Sequence, residues 1–306
     1  MQIYNTLDNI DQSAKGGVIA IGNFDGVHLG HQALLAQAKK IAAAENKKFG
    51  VLTFEPHPRR LFQPDQPPGR LTTAALKAQR LEAFGVDYLF SLNFDWPFAS
   101  QSAEEFVQNI LINGLDAAHI VIGYNFRFGQ MRKGDSNTIE SAGIPVSVIN
   151  PVEDEKNETV SSSRIRQLLR VGDIAAANKL LGWEWEVQGK IFRGDRRGHD
   201  LGYPTANILL NDTLHPAYGV YACLVQIEGE DDWRPAATNI GIRPMFEVKE
   251  GQIEAHILNF PDRDIYDKVL RVKPIERIRS EAKFGSLDDL IVQMEKDCEK
   301  TRQILS

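Results

Sequence analysis

The sequence predicts an α/β domain with a mostly parallel sheet, followed by a small antiparallel β-barrel that ends in a C-terminal helix. Three observations predict it. Up to about residue 182, short apolar runs alternate with helix-patterned segments, as they do when helices cover both faces of a parallel sheet. Beyond it, β-type segments follow one another between Gly- and Pro-containing turns, the pattern of a small barrel. The chain then closes on one stretch of helical spacing. Its 306 residues suit about two domains of ~150 residues each. We place them at 1–182 and 183–306, with the change of pattern falling near residue 185.

In the first part, GVIAIG (residues 17–22) reads as a buried strand. A helix follows in which Leu34, Leu35, Ala38, Ile41 and Ala42 share one face. FGVLTF (49–54) is a second strand, a helix spans about 76–84, and VDYLFSL (86–92) is a third strand. Ser102 and Glu105 form a capping box ahead of Phe106, Val107, Ile110 and Leu111, and Asn113-Gly114 stops that helix. HIVIG (119–123) and PVSVI (145–149) are further strands. Two short helices, 163–170 and 174–181, complete the part, the second capped by Asp173 and closed by Gly182. In the second part, β-type segments lie at 184–192, 206–210, 219–227, 236–240, 253–260 and 269–274. In the last helix Leu287, Leu290, Ile291, Met294 and Cys298 keep helical spacing, with Ser286 at its cap.

Charge and composition exclude several classes. Lys and Arg number 35 against 41 acidic residues, a net charge of −6, and neither part is basic. A whole-surface binder of nucleic acid or anionic membrane is therefore not expected. No apolar run approaches the roughly 18 residues of a membrane span, and MQIYNTLDNI lacks the basic-then-apolar order of a signal peptide. The two cysteines, Cys223 and Cys298, are too few and too far apart for a disulfide scaffold or a cysteine zinc site. A cytoplasmic protein acting on small molecules is expected; self-association is compatible with the sequence.

The most informative stretch is IGNFDGVHLGHQALL (21–35), a strand running through a Gly-punctuated loop into a helix. Gly22, Gly26 and Gly30 would let backbone approach a phosphate, and the new helix N-terminus favours anions. His28 and His31, three apart, can reach one side and stabilise charge developing there. A Gly-rich turn with two surface histidines is the plain alternative, which the strand–loop–helix context argues against. GYNFRFGQMRKGD (123–135) combines aromatics, glycines and three basic residues, which suits a ring system beside phosphates or simply a solvated loop. VSSSRIRQLL (160–169) brings hydroxyls, helix-start amides, Arg164 and Arg166 together as a phosphate clamp, though serine capping accounts for part of it. TFEPHPRRLF (53–62) lies where ligands of such sheets bind, with Pro56 and Pro58 expected to hold the loop extended.

GNFDGVHLGH, GYNFRFG and VSSSRIR, in this order, resemble segments of the prokaryotic bifunctional riboflavin kinase/FAD synthetases, and the resemblance extends over essentially the whole chain. It implies a Rossmann-like nucleotidyltransferase domain that moves AMP from ATP to FMN and releases pyrophosphate. It implies His28 and His31 on the ATP phosphates, and Gly22, Asn23, Phe24, Asp25 and Gly30 around the nucleotide. It further implies Ser162, Ser163 and Arg166 at a second phosphate signature, and Asn125, with Phe126 and Arg127, at the flavin nucleotide. Ser163 stands where the family has threonine, keeping the hydroxyl.

In the second part, GKIFRGDRRGHDLGYPTANI (189–208) reads as strand, Gly-rich loop and strand, with Gly194, Gly198 and Gly202 placed to wrap polyphosphate. Thr205 can ligate magnesium, and Asn207 faces the same way two residues on. In IEAHILNF (253–260) Glu254 and His256 share a strand face, either as a base beside a reacting hydroxyl or as an ordinary solvated edge. This part resembles the family's riboflavin kinase module, a six-stranded barrel with a C-terminal helix. The resemblance implies Thr205 and Asn207 on Mg2+ and ATP, and Glu254 as the base. Three positions depart from its pattern: His199 for arginine, Met245 for threonine and Asp267 for glycine.

The resemblance thus implies a two-step enzyme with ATP as co-substrate: riboflavin to FMN in the barrel, then FMN to FAD in the first domain. Two rivals remain open to the sequence. One is an FMN adenylyltransferase whose barrel only binds flavin, and the other is an RNA-binding protein, since H-x-G-H also marks some aminoacyl-tRNA synthetases.

Overall fold

The apolar runs assemble into two six-stranded sheets in the computed structural model, which describes residues 1–194, 203–242, 251–261 and 263–306. The chain forms two compact units, Met1–Gln66 with Ala74–Ser161, and Pro67–Thr73 with Ser162–Ser306.

The first unit is built on β1 (Gln2–Tyr4), β2 (Val18–Ile21), β3 (Phe49–Glu55), β4 (Tyr88–Asn93), β5 (His119–Gly123) and β6 (Val146–Ile149). Every pairing is parallel, in the order β1-β4-β3-β2-β5-β6. All four residues of β2 are buried, as a central strand covered on both faces requires. Alternate residues feed two cores: Ile19 and Ile21 enter one with Phe90 and Leu111, while Val18 and Ala20 enter the other with Leu35 and Ala38. From β2 the chain runs outward through β3 and β4, then returns to β5 on the opposite side of β2. The carboxyl ends of β2 and β5 therefore flank the topological switch point, where ligands of open α/β sheets bind.

The helices of this unit are α1 (Leu29–Ala44), α2 (Pro58–Phe62), α3 (Ala74–Ala83), α4 (Trp96–Ala99), α5 (Ala103–Phe106) and α6 (Ser136–Ser141). Both bonds of the Ser102–Glu105 capping box form. The helix they open then widens into a π-helical segment, Val107–Gly114, whose exit is marked by Leu115 N–H donating to the Ile110 carbonyl. The 53–62 loop is not extended throughout: Glu55–Pro56 is cis, and Pro58 opens α2, where its missing N–H costs nothing.

The second sheet comprises β7 (Val187–Lys190), β8 (Ala206–Leu209), β9 (Gly219–Ile227), β10 (Arg234–Ile242), β11 (Gly251–Ile257) and β12 (Val269–Arg279). It is antiparallel, in the order β7-β12-β9-β10-β11-β8, and an isolated bridge between Phe192 and Asn207 joins its two ends. Its helices are α7 (Ser162–Val171), α8 (Ile174–Leu181) and α9 (Leu287–Leu305). Asp173 caps α8 by accepting from Ala176 N–H, Gly182 ends it in the left-handed conformation (φ 74°), and Ser286 caps α9. By packing, α7 and α8 go with the barrel, upstream of the 182/183 division drawn from pattern. Trp185, fully buried, shows why: its backbone N–H donates to Asn178 in α8, and its indole N–H donates to the Leu71 carbonyl at 2.9 Å. Leu71 itself lies in the short excursion Pro67–Thr73, which meets the barrel again where Leu214 N–H donates to the Arg70 carbonyl.

Candidate active sites

In the first unit, β2 delivers the chain into a loop with three left-handed residues: Phe24 (φ 49°), Gly26 (φ 84°) and Val27 (φ 36°). Only the glycine adopts such a conformation without strain. Phe24 and Val27 are fully buried, so their side-chain packing holds a backbone that their own chemistry disfavours. The loop ends at His28, the N-cap of α1. Its imidazole stacks on that of His31, with centroids 3.7 Å apart and planes at 21°, and His31 leans on Phe24 at 5.2 Å. The two histidines thus do share one side of the helix opening. His28 and Asp25 are buried, while Asn23 is exposed. Gly30 serves the rings directly: a Cβ there would lie 3.1 Å from His28 Cε1. Gly22 faces the Phe24 ring in the same way, at 3.3 Å. For both glycines, room for a ring is the requirement the structure shows.

Sequence reasoning missed Lys77. Buried in α3, it donates to the Asn23 carbonyl (3.2 Å) and the Thr53 hydroxyl (3.1 Å), and it pairs with Glu55 at 2.7 Å. Thr53 also donates to the Asn23 carbonyl at 3.2 Å. One lysine thus ties the glycine loop to the carboxyl end of β3. A signal existed, since Lys77 lies four residues before the apolar Leu81 and so falls on the inward face of α3.

Past β5, Asn125 is exposed, Phe126 stacks on Phe128 at 5.6 Å, and Arg127 is engaged in an ion pair with Asp135 at 2.8 Å. Arg127, expected at the flavin nucleotide, keeps 47% of its side chain exposed in that pair. Phe128 begins a further feature that the sequence reading did not identify, an aromatic band of tilted and edge-to-face contacts through Phe106, Phe98, Phe94 and Phe62 to Trp96. It ends exposed, with Phe62 at 55% and Trp96 at 59%. The density of aromatics in FDWPF (94–98) was its trace in the sequence. Ser162, Ser163 and Arg166 lie in α7 of the second unit, where Arg166 is buried and its Nε–H donates to the Gly69 carbonyl.

In the second unit, β8 and β11 pair so that Asn207 faces Glu254. Asn207 is buried; its Nδ2–H donates to the Thr205 carbonyl at 3.2 Å, and its Oδ1 accepts from Gln252 at 2.8 Å. The same Gln252 nitrogen donates to Glu254 Oε1 at 3.0 Å. Thr205, Asn207 and Glu254 are therefore brought together, with Gln252 as a linking residue that the sequence did not reveal. Gly194 is needed where it stands: a Cβ would lie 2.8 Å from Asn207 Nδ2. Gly198, Gly202, His199 and Met245 lie outside the described residues. Asp267, at the family's glycine position, is left-handed (φ 67°), which explains why glycine suits it, and it pairs with Lys190 at 2.9 Å.

His256 lies 2.9 Å, through Nδ1, from the Pro204 carbonyl, which can only accept, so Nδ1 carries the proton. Tyr203 packs edge-on against His256 and donates to Glu295 of α9 at 2.9 Å. Burial and that acceptor hold the Tyr203 hydroxyl above its ordinary pKa, burial first. Burial also pushes the Cys223 thiol up to about 12 and the Cys298 thiol up to about 11, so neither is a thiolate at neutral pH.

Magnesium, implied by the resemblance, can be tested against these residues. A hydroxyl, an amide oxygen and a carboxylate are hard oxygen donors, which fit it. Among the described residues no group of three or more His, Cys, Asp or Glu could hold a metal. An ion held partly by substrate phosphates needs no such cage.

Comparison with known proteins assigns both parts of the chain to families. Residues 10–164 match the family model described as FAD synthetase, and residues 181–305 match that described as riboflavin kinase. Bifunctional riboflavin kinase/FMN adenylyltransferase from Escherichia coli K12 is 36% identical over 97% of this chain and 96% of its own. The protein of the same description from Bacillus subtilis is 36% identical over 94% of this chain and 92% of its own. A crystal structure titled macrolide-efflux protein from Streptococcus pneumoniae superposes with a TM-score of 0.86 at 34% identity, covering 98% of both chains. Among the described residues no helix is long and apolar enough to cross a membrane.

Proposed function

The chain belongs to the bifunctional riboflavin kinase/FMN adenylyltransferases, and from that premise we propose which residues carry each reaction. The observation that carries the reading is that each compact unit has its own constellation suited to phosphate chemistry. These are the stacked His28–His31 pair at the switch point and the Thr205–Asn207–Glu254 row between β8 and β11.

In the barrel, Glu254 takes the proton from the riboflavin 5′-hydroxyl as that oxygen attacks the γ-phosphorus of ATP, and ADP leaves. Thr205 and Asn207 would hold Mg2+ together with the nucleotide, and Gly194 gives the backbone room beside Asn207. The ion, when bound, offsets phosphate charge. In the first unit, the FMN phosphate attacks the α-phosphorus of a second ATP, and pyrophosphate leaves as FAD forms. His28 and His31 donate hydrogen bonds to the phosphates, while the loop from Gly22 to Asp25 and Gly30 shape their surroundings. Asn125, Phe126 and Arg127 contact FMN, and the aromatic band ending at Phe62 and Trp96 offers a face for a planar ring. Ser162, Ser163 and Arg166, at the start of α7, are the candidate second phosphate signature. Both reactions are positioning and electrostatics, which matches an abundance of glycine loops, hydroxyls and arginines.

We assign the activities to modules 1–182 and 183–306, a division supported by the spans of the two family matches. The family's small-molecule substrates and the net charge of −6 support a cytoplasmic enzyme without a nucleic-acid partner. Incubation with riboflavin, ATP and Mg2+, followed by chromatography, should show FMN appearing first and FAD after it. FAD formed from supplied FMN, with no FMN formed from riboflavin, would leave a flavin-binding barrel instead.

A further inference from the structure

We propose that Gln252 is a positioning residue of the phosphotransfer site, holding the metal-binding Asn207 and the base Glu254 in register through one amide nitrogen. The inference rests on the roles given to Asn207 and Glu254 above. Alternation along β11 puts Gln252 and Glu254 on the same face. Across the strands Glu254 is opposite Asn207 and Gln252 is opposite Leu209, so Gln252 reaches diagonally to Asn207 and along its own strand to Glu254. Its Nε2 has two hydrogens, and both are used: Asn207 Oδ1 at 2.8 Å and Glu254 Oε1 at 3.0 Å.

Two consequences follow. The Asn207 amide can face only one way, because Oδ1 accepts from Gln252 while Nδ2 donates to the Thr205 carbonyl. Glu254 likewise loses rotamer freedom on the side of the metal ligand. Functional side chains need such support to hold productive geometry.

The rest of the Gln252 amide argues that this support, not the fold, is its role. The side chain is only 5% exposed, yet its Oε1 accepts from no described residue. A buried acceptor left unsatisfied is unfavourable, and an apolar side chain of similar length would avoid it.

The test uses the full-length protein. Gln252→Met should leave the unfolding midpoint unchanged or raise it. It should weaken binding of Mg2+ with a non-hydrolysable ATP analogue, read by calorimetry, and lower riboflavin kinase kcat, each by about 10–100-fold, the usual scale of losing an outer-shell partner. In an Asn207→Ala background its effect on nucleotide binding should vanish, because the residue through which it acts is gone. Gln252→Asn keeps the amide but lacks reach, and it should match Gln252→Met. FMN adenylylation should be unaffected by all of them.

Wild-type binding and kcat in Gln252→Met, or losses that simply add to those of Asn207→Ala and Glu254→Gln, overturn the proposal. So does failure of both Gln252 variants to fold, which would make the residue structural. If Asn207→Ala and Glu254→Gln themselves bind and turn over normally, the assigned site is at fault, and the inference falls with it.

Discussion

His28 has the His31 ring 3.7 Å away and stands at the opening of α1, so removing its imidazole takes away one proposed phosphate donor and leaves His31 leaning on Phe24. His28→Ala should slow FAD formation from FMN by about 10²–10³, the scale of losing one oxyanion-type donor. FMN formation should stay near wild type; equal loss in both separate assays would break the two-site reading. In the barrel, Glu254→Gln should lower kinase kcat by about 10²–10⁴ with little change in KM for ATP. The nearest alternative base, His256, has its Nδ1 proton on the Pro204 carbonyl, so it cannot substitute through that atom. A third residue gives a pH signature. Burial holds the His215 pKa below its ordinary value of 6.5, so at mildly acidic pH the unfolded chain takes up a proton that the folded chain resists. That contribution is complete above 6.5 and is lost as pH falls from there towards the folded value. The unfolding midpoint of His215→Gln should therefore fall less than that of wild type between about pH 7.5 and 5; parallel curves would exclude His215 as the cause. The histidines and Glu254 were legible because motifs carry them. Gln252 was not, because its value depends on β8–β11 register, which no local pattern encodes.

At the scale of elements, periodicity found the strands and long helices but misjudged what fastens them. The last helix was read as an apolar stripe from Leu287 to Cys298, yet Leu287 is 57% exposed and Asp297 only 4%. Asp297 is inside because Arg279, at the end of β12, grips it with Nε (3.0 Å) and with a second nitrogen at 2.7 Å, and Gln293 donates to it at 2.9 Å. An ion pair between a strand end and a helix one loop later leaves no periodic trace. It does leave a testable one. Asp297→Ala strands a mostly buried guanidinium and should destabilise the barrel by about 3 kcal/mol, near the lower end for breaking a buried pair. Urea unfolding of the full chain, followed through the barrel tryptophans, checks this; a change below about 0.5 kcal/mol, typical of surface substitutions, would show that the pair adds nothing. Shorter elements escaped for a different reason. The three residues of β1 are too few to show alternation, and they become a strand only because β4 offers an edge.

For the whole molecule, strand–helix alternation and the later run of β segments were enough to foresee two sheets of opposite type. They could not say which core owns the connecting helices, because packing decides ownership. Both the pattern and the kinase match start the barrel near residue 182, yet α7 and α8 pack with it. Their buried side chains include Ile165, Leu169, Ile174, Leu180 and Leu181. Ala217 N–H donates to the Leu169 carbonyl at 3.0 Å, and Trp185 N–H donates to the Asn178 side chain at 2.8 Å. A fragment of residues 183–306 retains Thr205, Asn207, Gln252 and Glu254, so it should still form FMN. It has nevertheless lost both helices, and with them the Asn178 side chain that accepts from Trp185 N–H. A fragment of 162–306 keeps those contacts and lacks only Pro67–Thr73. The longer fragment should be more stable by at least about 2 kcal/mol, the scale of exposing one large apolar side chain. Denaturant unfolding of the two fragments, followed by tryptophan fluorescence, measures the difference directly. Equal midpoints would mean that α7 and α8 merely rest on the barrel, and that its core closes at residue 183 as the sequence pattern suggests.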